Sequence, residues 1–151
     1  MGSTDDVIRA GVEGLEAFDF GVTPHTTAPE LARARVAIVT TAGLRPDGIG
    51  VWTHGQSFTE LDARDRDFTL AHLSPNFDRV GIAADLNIVY PIDRLEELAA
   101  SGVIGSVAPR HFSFMGAQPD HTLTTIRLDT GPAVAKMLRD DGVDVVVLTP
   151  V

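Results

Sequence analysis

Two runs of β-branched residues limit what this chain can fold into. Arg35-Val36-Ala37-Ile38-Val39-Thr40-Thr41 and Val143-Asp144-Val145-Val146-Val147-Leu148-Thr149 are apolar almost throughout. Such runs read as strands buried on both faces, the kind found in parallel sheets covered by helices. The second run follows a helical pattern over 132–141, where Val134, Met137 and Leu138 share a face and Gly142 ends the helix. A helix feeding a buried strand is half of a βαβ unit.

The alternation recurs upstream. Over 90–102, Pro91 suits a first helical turn, Ile92, Leu95, Leu98 and Ala99 form an apolar stripe, and Gly102 is the stop. Strand candidates flank this helix at 86–90 and 103–107, and another at 68–71 leads into His72. These patterns predict an α/β fold: a mostly parallel, Rossmann-like sheet flanked by helices, in a single domain covering 1–151. Residues 1–34 carry no motif that places them. Segment 42–67, with Gly43, Pro46, Gly48, Gly50 and Gly55, reads as a long connection of the kind that carries function. Segment 109–125 is rich in turn residues.

Composition removes several classes of function. The 151 residues suffice for one core without covalent staples. They contain no cysteine, hence no disulfide, thiolate metal site or cysteine nucleophile, which fits a reducing, cytoplasmic setting. The opening Met1-Gly2-Ser3-Thr4-Asp5-Asp6 does not read as a signal peptide, and no run of about 18 apolar residues suggests a membrane span. The net charge of −9, with Lys136 the single lysine and the arginines scattered, argues against a nucleic-acid partner. Neither a dinucleotide nor a nucleotide phosphate loop is present, nor the serine-hydrolase elbow, so no cofactor is expected. His25, His54 and His121 stand apart without metal-ligand spacing, and no metal is expected either.

The candidate chemistry lies around Ala71-His72-Leu73-Ser74-Pro75-Asn76-Phe77-Asp78 and Asp85-Leu86-Asn87. His72 follows a strand candidate and so stands at a carboxyl end, where open α/β sheets bind ligands. Histidine moves protons near neutrality, and Asp78 or Asp85 could fix its tautomer. Equally, His72 could bond a backbone carbonyl while the two aspartates cap turns. Arg110-His111 beside a glycine turn could grip a carboxylate, or Arg110 could form a surface ion pair beside core Phe112, Phe114 and Met115. Thr41 and Gly43, just after the first run, could offer N–H groups to an anion or simply make a turn.

The order of short motifs carries a resemblance. Arg35 to Gly43, Gly55-Gln56-Ser57-Phe58-Thr59-Glu60, His72 with Asp78, Asp85-Leu86-Asn87, Tyr90-Pro91-Ile92-Asp93-Arg94-Leu95, Gly102 to Ser106, Phe114-Met115-Gly116 and Asp141-Gly142-Val143-Asp144 follow one another. This series resembles the selenoprotein B family of glycine, sarcosine, betaine and D-proline reductases. The resemblance implies reductive cleavage of a carbon–nitrogen bond by a selenocysteine or cysteine placed just after the strand matching 143–149. The sequence ends at Val151, where that residue is expected, and Arg45 falls near a position where relatives tend to carry histidine.

Three readings follow. The chain is a reductase subunit whose redox residue comes from a second chain carrying Cys or Sec. Or it is a shortened relative using acid–base chemistry (a lyase, isomerase or cyclase step) on a small polar metabolite, or a binding paralogue. Under the first two, His72 is the general acid/base, Asp78 or Asp85 orients it, Asn87 donates to a small amino-acid-like substrate, and Arg110 and His111 are secondary contacts. The apolar final strand also predicts a homo- or hetero-oligomer.

Overall fold

The computed structural model describes residues 26–47, 57–72, 79–118 and 120–151, with isolated positions before them. Strand β1 (Arg35–Thr40) lies at the centre of a five-stranded sheet. On one edge it pairs in parallel with β7 (Val145–Thr149), from Val36↔Val145 to Thr40↔Thr149. On the other it pairs in parallel with β5 (Ser106–Val107) at its start and β6 (Arg110–Phe114) at its end. The register changes by two residues between these contacts, from Val36↔Val107 to Val39↔Phe112, so β5 and β6 act as one strand interrupted by a bulge at Ala108 and Pro109. Beyond β6 runs β3 (Phe58–Asp62), antiparallel, from Phe58↔Phe114 to Asp62↔Arg110. A separate two-stranded ribbon joins β2 (Leu44–Pro46) to β4 (Phe68–Leu70).

Helices cover both faces. On one, α2 (Ile92–Ala100) buries Ile92 and Leu95 against Val36, Ile38, Leu61 and Tyr90. It is entered through α1 (Val80–Ala84) and a 3₁₀ turn, Leu86–Ile88. On the other, α3 (Asp120–Thr125) runs through a π-helical turn, Ile126–Thr130, into α4 (Gly131–Asp140). There Val134 and Leu138 pack on Ala37, Phe112 and Phe114. Among the described residues no helix is long and apolar enough to cross a membrane.

The α/β class and the two main helices agree with the sequence patterns; the sheet departs from them. It is mixed, not the mostly parallel Rossmann-like sheet expected, because β3 returns antiparallel so that Phe58 meets Phe112 edge-on at 5.7 Å and Phe114 at 5.9 Å. Segment 42–67 holds β2 and β3, and the turn-rich 109–125 holds β6. Residues 86–88 form a 3₁₀ turn in place of a strand, since Asp85 accepts a bond from Asn87 N and so competes with extended pairing. Only Ser106–Val107 of 103–107 is strand: Gly105 N turns away to Leu31 O and Ala34 O, both at 3.0 Å. The run 143–149 is not buried on both faces either. Along β7 burial alternates: Val145, Val147 and Thr149 are half-buried on one face, while Val146 and Leu148 are exposed on the other.

Candidate functional site

The segment leaving β1 draws three distant parts of the chain together. Thr41 N donates to Thr149 O at 3.2 Å, while Thr41 Oγ1 accepts from Val151 N at 2.8 Å and donates to Val151 O at 3.3 Å. Gly43 turns with φ of 68°. Its N–H donates to Phe114 O at 2.9 Å, and its carbonyl accepts from Ala71 N at 3.0 Å, which delivers His72 to the end of β1. A Cβ on Gly43 would stand 3.1 Å from His72 N, so left-handed backbone and close packing both call for glycine here.

His72 is buried, with 3% of its surface exposed. Arg79 donates to its carbonyl oxygen. Burial first, and the Arg79 charge second, lower the imidazole pKa below 6.5, so the ring is neutral at neutral pH. Beside this cluster opens an apolar groove of about 560 Å³, walled by Val39, Phe114, Val134, Leu138 and Leu148, with Thr41 at its rim.

The other sequence candidates go elsewhere. Asp85 Oδ1 accepts from Asn87 N at 2.9 Å and Asn87 Nδ2 at 3.0 Å, which holds its carboxyl below the usual range. Asn87 Nδ2 also donates to Asp93 Oδ2 at 2.8 Å, and its Oδ1 accepts from Asp93 N at 3.1 Å. Arg66 continues this network to Asp93 at 2.8 Å and Glu96 at 3.0 Å. Both amide hydrogens of Asn87 are thus spent on fastening the start of α2. Arg110 forks onto Asp141 and reaches Glu60 at 3.2 Å, tying β6 to β3 and to the turn after α4.

His111 is fully buried in β6, where its Nδ1 accepts from Ile38 N at 2.9 Å. At the bulge, the ring supplies the acceptor that a regular ladder would take from a carbonyl. This fixes the neutral tautomer with the proton on Nε2. Burial pushes its pKa down to about 4. Asp78, His25 and His54 lie outside the described residues, as does the side chain of His121.

The structure therefore brings His72, Thr41 and Gly43 together and sets Asp85 with Asn87, Arg110, and His111 at three other places. Arg45, singled out by the resemblance, is buried in β2 opposite Thr69. The sequence reading overlooked Gly116, whose N–H donates to Thr41 O at 2.8 Å, although Phe114-Met115-Gly116 was among the motifs in series. It also overlooked Tyr90, fully buried edge-on to His111 at 5.5 Å and to Phe68 at 5.5 Å. Tyr90 Oη has no hydrogen-bond partner among the described residues. Tyr90→Phe removes this unsatisfied hydroxyl, so urea unfolding should show stability unchanged or raised by about 1 kcal/mol. A loss of that size would mean that the hydroxyl is satisfied.

The polar cluster stands at the carboxyl ends of the parallel strands β1 and β7, the place where open α/β sheets bind ligands. The model of one family, glycine/sarcosine/betaine reductase selenoprotein B, matches residues 15–151, and the chain belongs to that family. D-proline reductase subunit gamma of Acetoanaerobium sticklandii is 34% identical over 124 residues, covering 80% of this chain and 50% of that protein. Sarcosine reductase complex component B subunit beta of Peptoclostridium acidaminophilum is 31% identical over 85% of this chain and 30% of its own length. Glycine reductase complex component B subunit gamma of Carboxydothermus hydrogenoformans is 29% identical over 89% of this chain and 32% of its own. The chain thus spans between 30% and 50% of the length of these three relatives. No solved structure matches it.

Proposed function

We propose that these residues form the substrate-positioning part of a reductase-complex subunit acting on a small amino-acid-like molecule, with the redox selenol or thiol supplied from outside residues 1–151. One observation carries this reading. His72, Thr41 and Gly43 meet at the carboxyl ends of β1 and β7, and the resemblance implies a redox residue just after the strand that β7 matches. Held neutral, His72 accepts a proton at neutral pH and, once charged, returns it to a departing nitrogen. Thr41 holds the backbone beyond β7 through both its bonds to Val151. Asp78 is the carboxylate proposed to orient the imidazole. Asp85, Asn87, Arg110 and His111 support the scaffold around the site.

Native mass spectrometry of the untagged protein from its own host tests the first half. The expected result is an assembly that carries a thiol or selenol outside these residues and cleaves its substrate reductively. An assembly with no such group would sink the reading. In the active assembly, His72→Ala should lower kcat by about 10²- to 10⁴-fold with the complex intact. Unchanged turnover would remove His72 from the chemistry.

A further inference from the structure

We propose that the bare face of β7, with the groove beside α4, seats an amphipathic helix of the segment that brings the redox selenol or thiol. The inference rests on the reading given under Proposed function. In register, Val146 stands beside Ala37 of β1 and Leu148 beside Val39, so all four side chains point to the α4 side of the sheet. There α4 covers β1: Ala37 is fully buried in one cluster with Val134 and Leu138. One strand further out the cover stops, and Val146 and Leu148 are 37% and 69% exposed. With Leu123, Ile126, Ala135 and Leu138 they wall the groove of about 560 Å³. An apolar patch of this kind marks an interaction site.

Topology says what covers such a face. The chain passes from β6 across β1 to β7, three parallel strands in the order β6-β1-β7, with α4 on the crossover. Connections between parallel strands of one sheet are right-handed in about 98% of cases, and successive right-handed crossovers in one direction put their helices on one face. A further parallel strand on the outer edge of β7, where none pairs among the described residues, is therefore reached through a helix on the α4 face. That helix lies over Val146 and Leu148 and packs beside α4 at about 8–10 Å between axes. Gly131 and Ala135, four residues apart on α4, keep the facing flank low. The rim of the groove identifies the occupant. Thr41 and Val151 form it at the carboxyl end of β7, where the proposed redox residue stands, so the segment bearing that residue begins at the groove. The match covers only 30% to 50% of the three relatives, which leaves them ample chain for such a unit.

Photo-crosslinking tests this in the assembled protein from its own host. The probe, p-benzoylphenylalanine, replaces Leu148 on the strand wall of the groove or Leu123 on its helical wall. Both positions are exposed, so the probe leaves the core packing intact. On irradiation both should capture the same peptide, one from outside residues 1–151 that follows a Sec or Cys and carries apolar residues spaced three and four apart. Capture of a peptide from residues 1–151 of a second copy would overturn the proposal. So would capture of a chain that carries no selenol or thiol, or no capture at either position in an assembly that carries one. Those three results leave the reductase reading standing. An assembly with no selenol or thiol at all sinks that reading first, and the proposal with it. Should the probe at position 148 hinder folding, capture from position 123 decides alone.

Discussion

Replacing His111 by alanine should lower the free energy of unfolding by about 4 kcal/mol, and the loss should depend on pH. Two terms add. The ring is fully buried, and its removal leaves a cavity, which for large buried side chains costs about 3–5 kcal/mol. The N–H of Ile38 also loses its acceptor in the middle of the sheet, a penalty of about 1–3 kcal/mol where no water enters. Partial collapse of the site keeps the sum near the lower bound.

The pH dependence has a definite sign. Folded His111 titrates at about 4, against 6.5 for the unfolded chain. Between these values the unfolded state binds more protons, so the native state loses ground as pH falls. This contribution is complete above pH 6.5 and lost progressively down to pH 4, on the order of 3 kcal/mol in all. Urea titrations at pH 7, 5.5 and 4.5 should show a slope in the parent that is shallower in His111→Ala. His111→Asn, whose Oδ1 can occupy the place of Nδ1, should recover part of the stability at pH 7 without restoring the slope. Equal slopes in parent and alanine variant would mean that another group governs acid unfolding.

Phe112→Ala should cost about 4 kcal/mol by the same urea measurement, with no pH dependence of its own. Phe112 belongs to the opposite face of β6 and is fully buried, edge-on to Phe58 at 5.7 Å. It packs among Ala37, Val134 and Leu138, and so joins β3, the sheet and α4 in one contact set. Because Val134 and Leu138 also wall the groove, its loss should loosen the groove's helical side, visible as faster amide exchange in α4. A loss below about 1 kcal/mol would show that this face repacks.

These two effects fall on neighbouring residues of a strand that turn-rich flanks concealed. Arg110-His111-Phe112-Ser113-Phe114 alternates with the period of a strand, but Pro109 and Gly116 bracket it, and the segment 109–125 reads as rich in turn residues. In the structure the polar face is buried too. His111 accepts from Ile38 N, and Ser113 Oγ accepts from Leu44 N at 2.8 Å. These side chains complete backbone pairing that the bulge and the ribbon leave open, and such bonds exist only between segments far apart in the chain. The reverse error occurred at 86–90, where the apolar residues suggested a strand and a local bond from Asn87 N to Asp85 made a turn.

The sequence by itself determined β1, β7, α2 and α4 and hence the α/β class, because β-branched runs and amphipathic stripes act over a few residues. Gly102 and Gly142 end the two helices with φ of 74° and 68°, as their positions implied. It also placed His72, Thr41 and Gly43 just after strands, which is where they meet. Only the tertiary structure decided that β3 runs antiparallel, that His111 serves the core, that Asp85 and Asn87 fasten α2, and that Gly116 donates to Thr41. Each of these depends on which distant segments come to share a few ångströms. Packing sets that proximity, and local residue preference does not encode it.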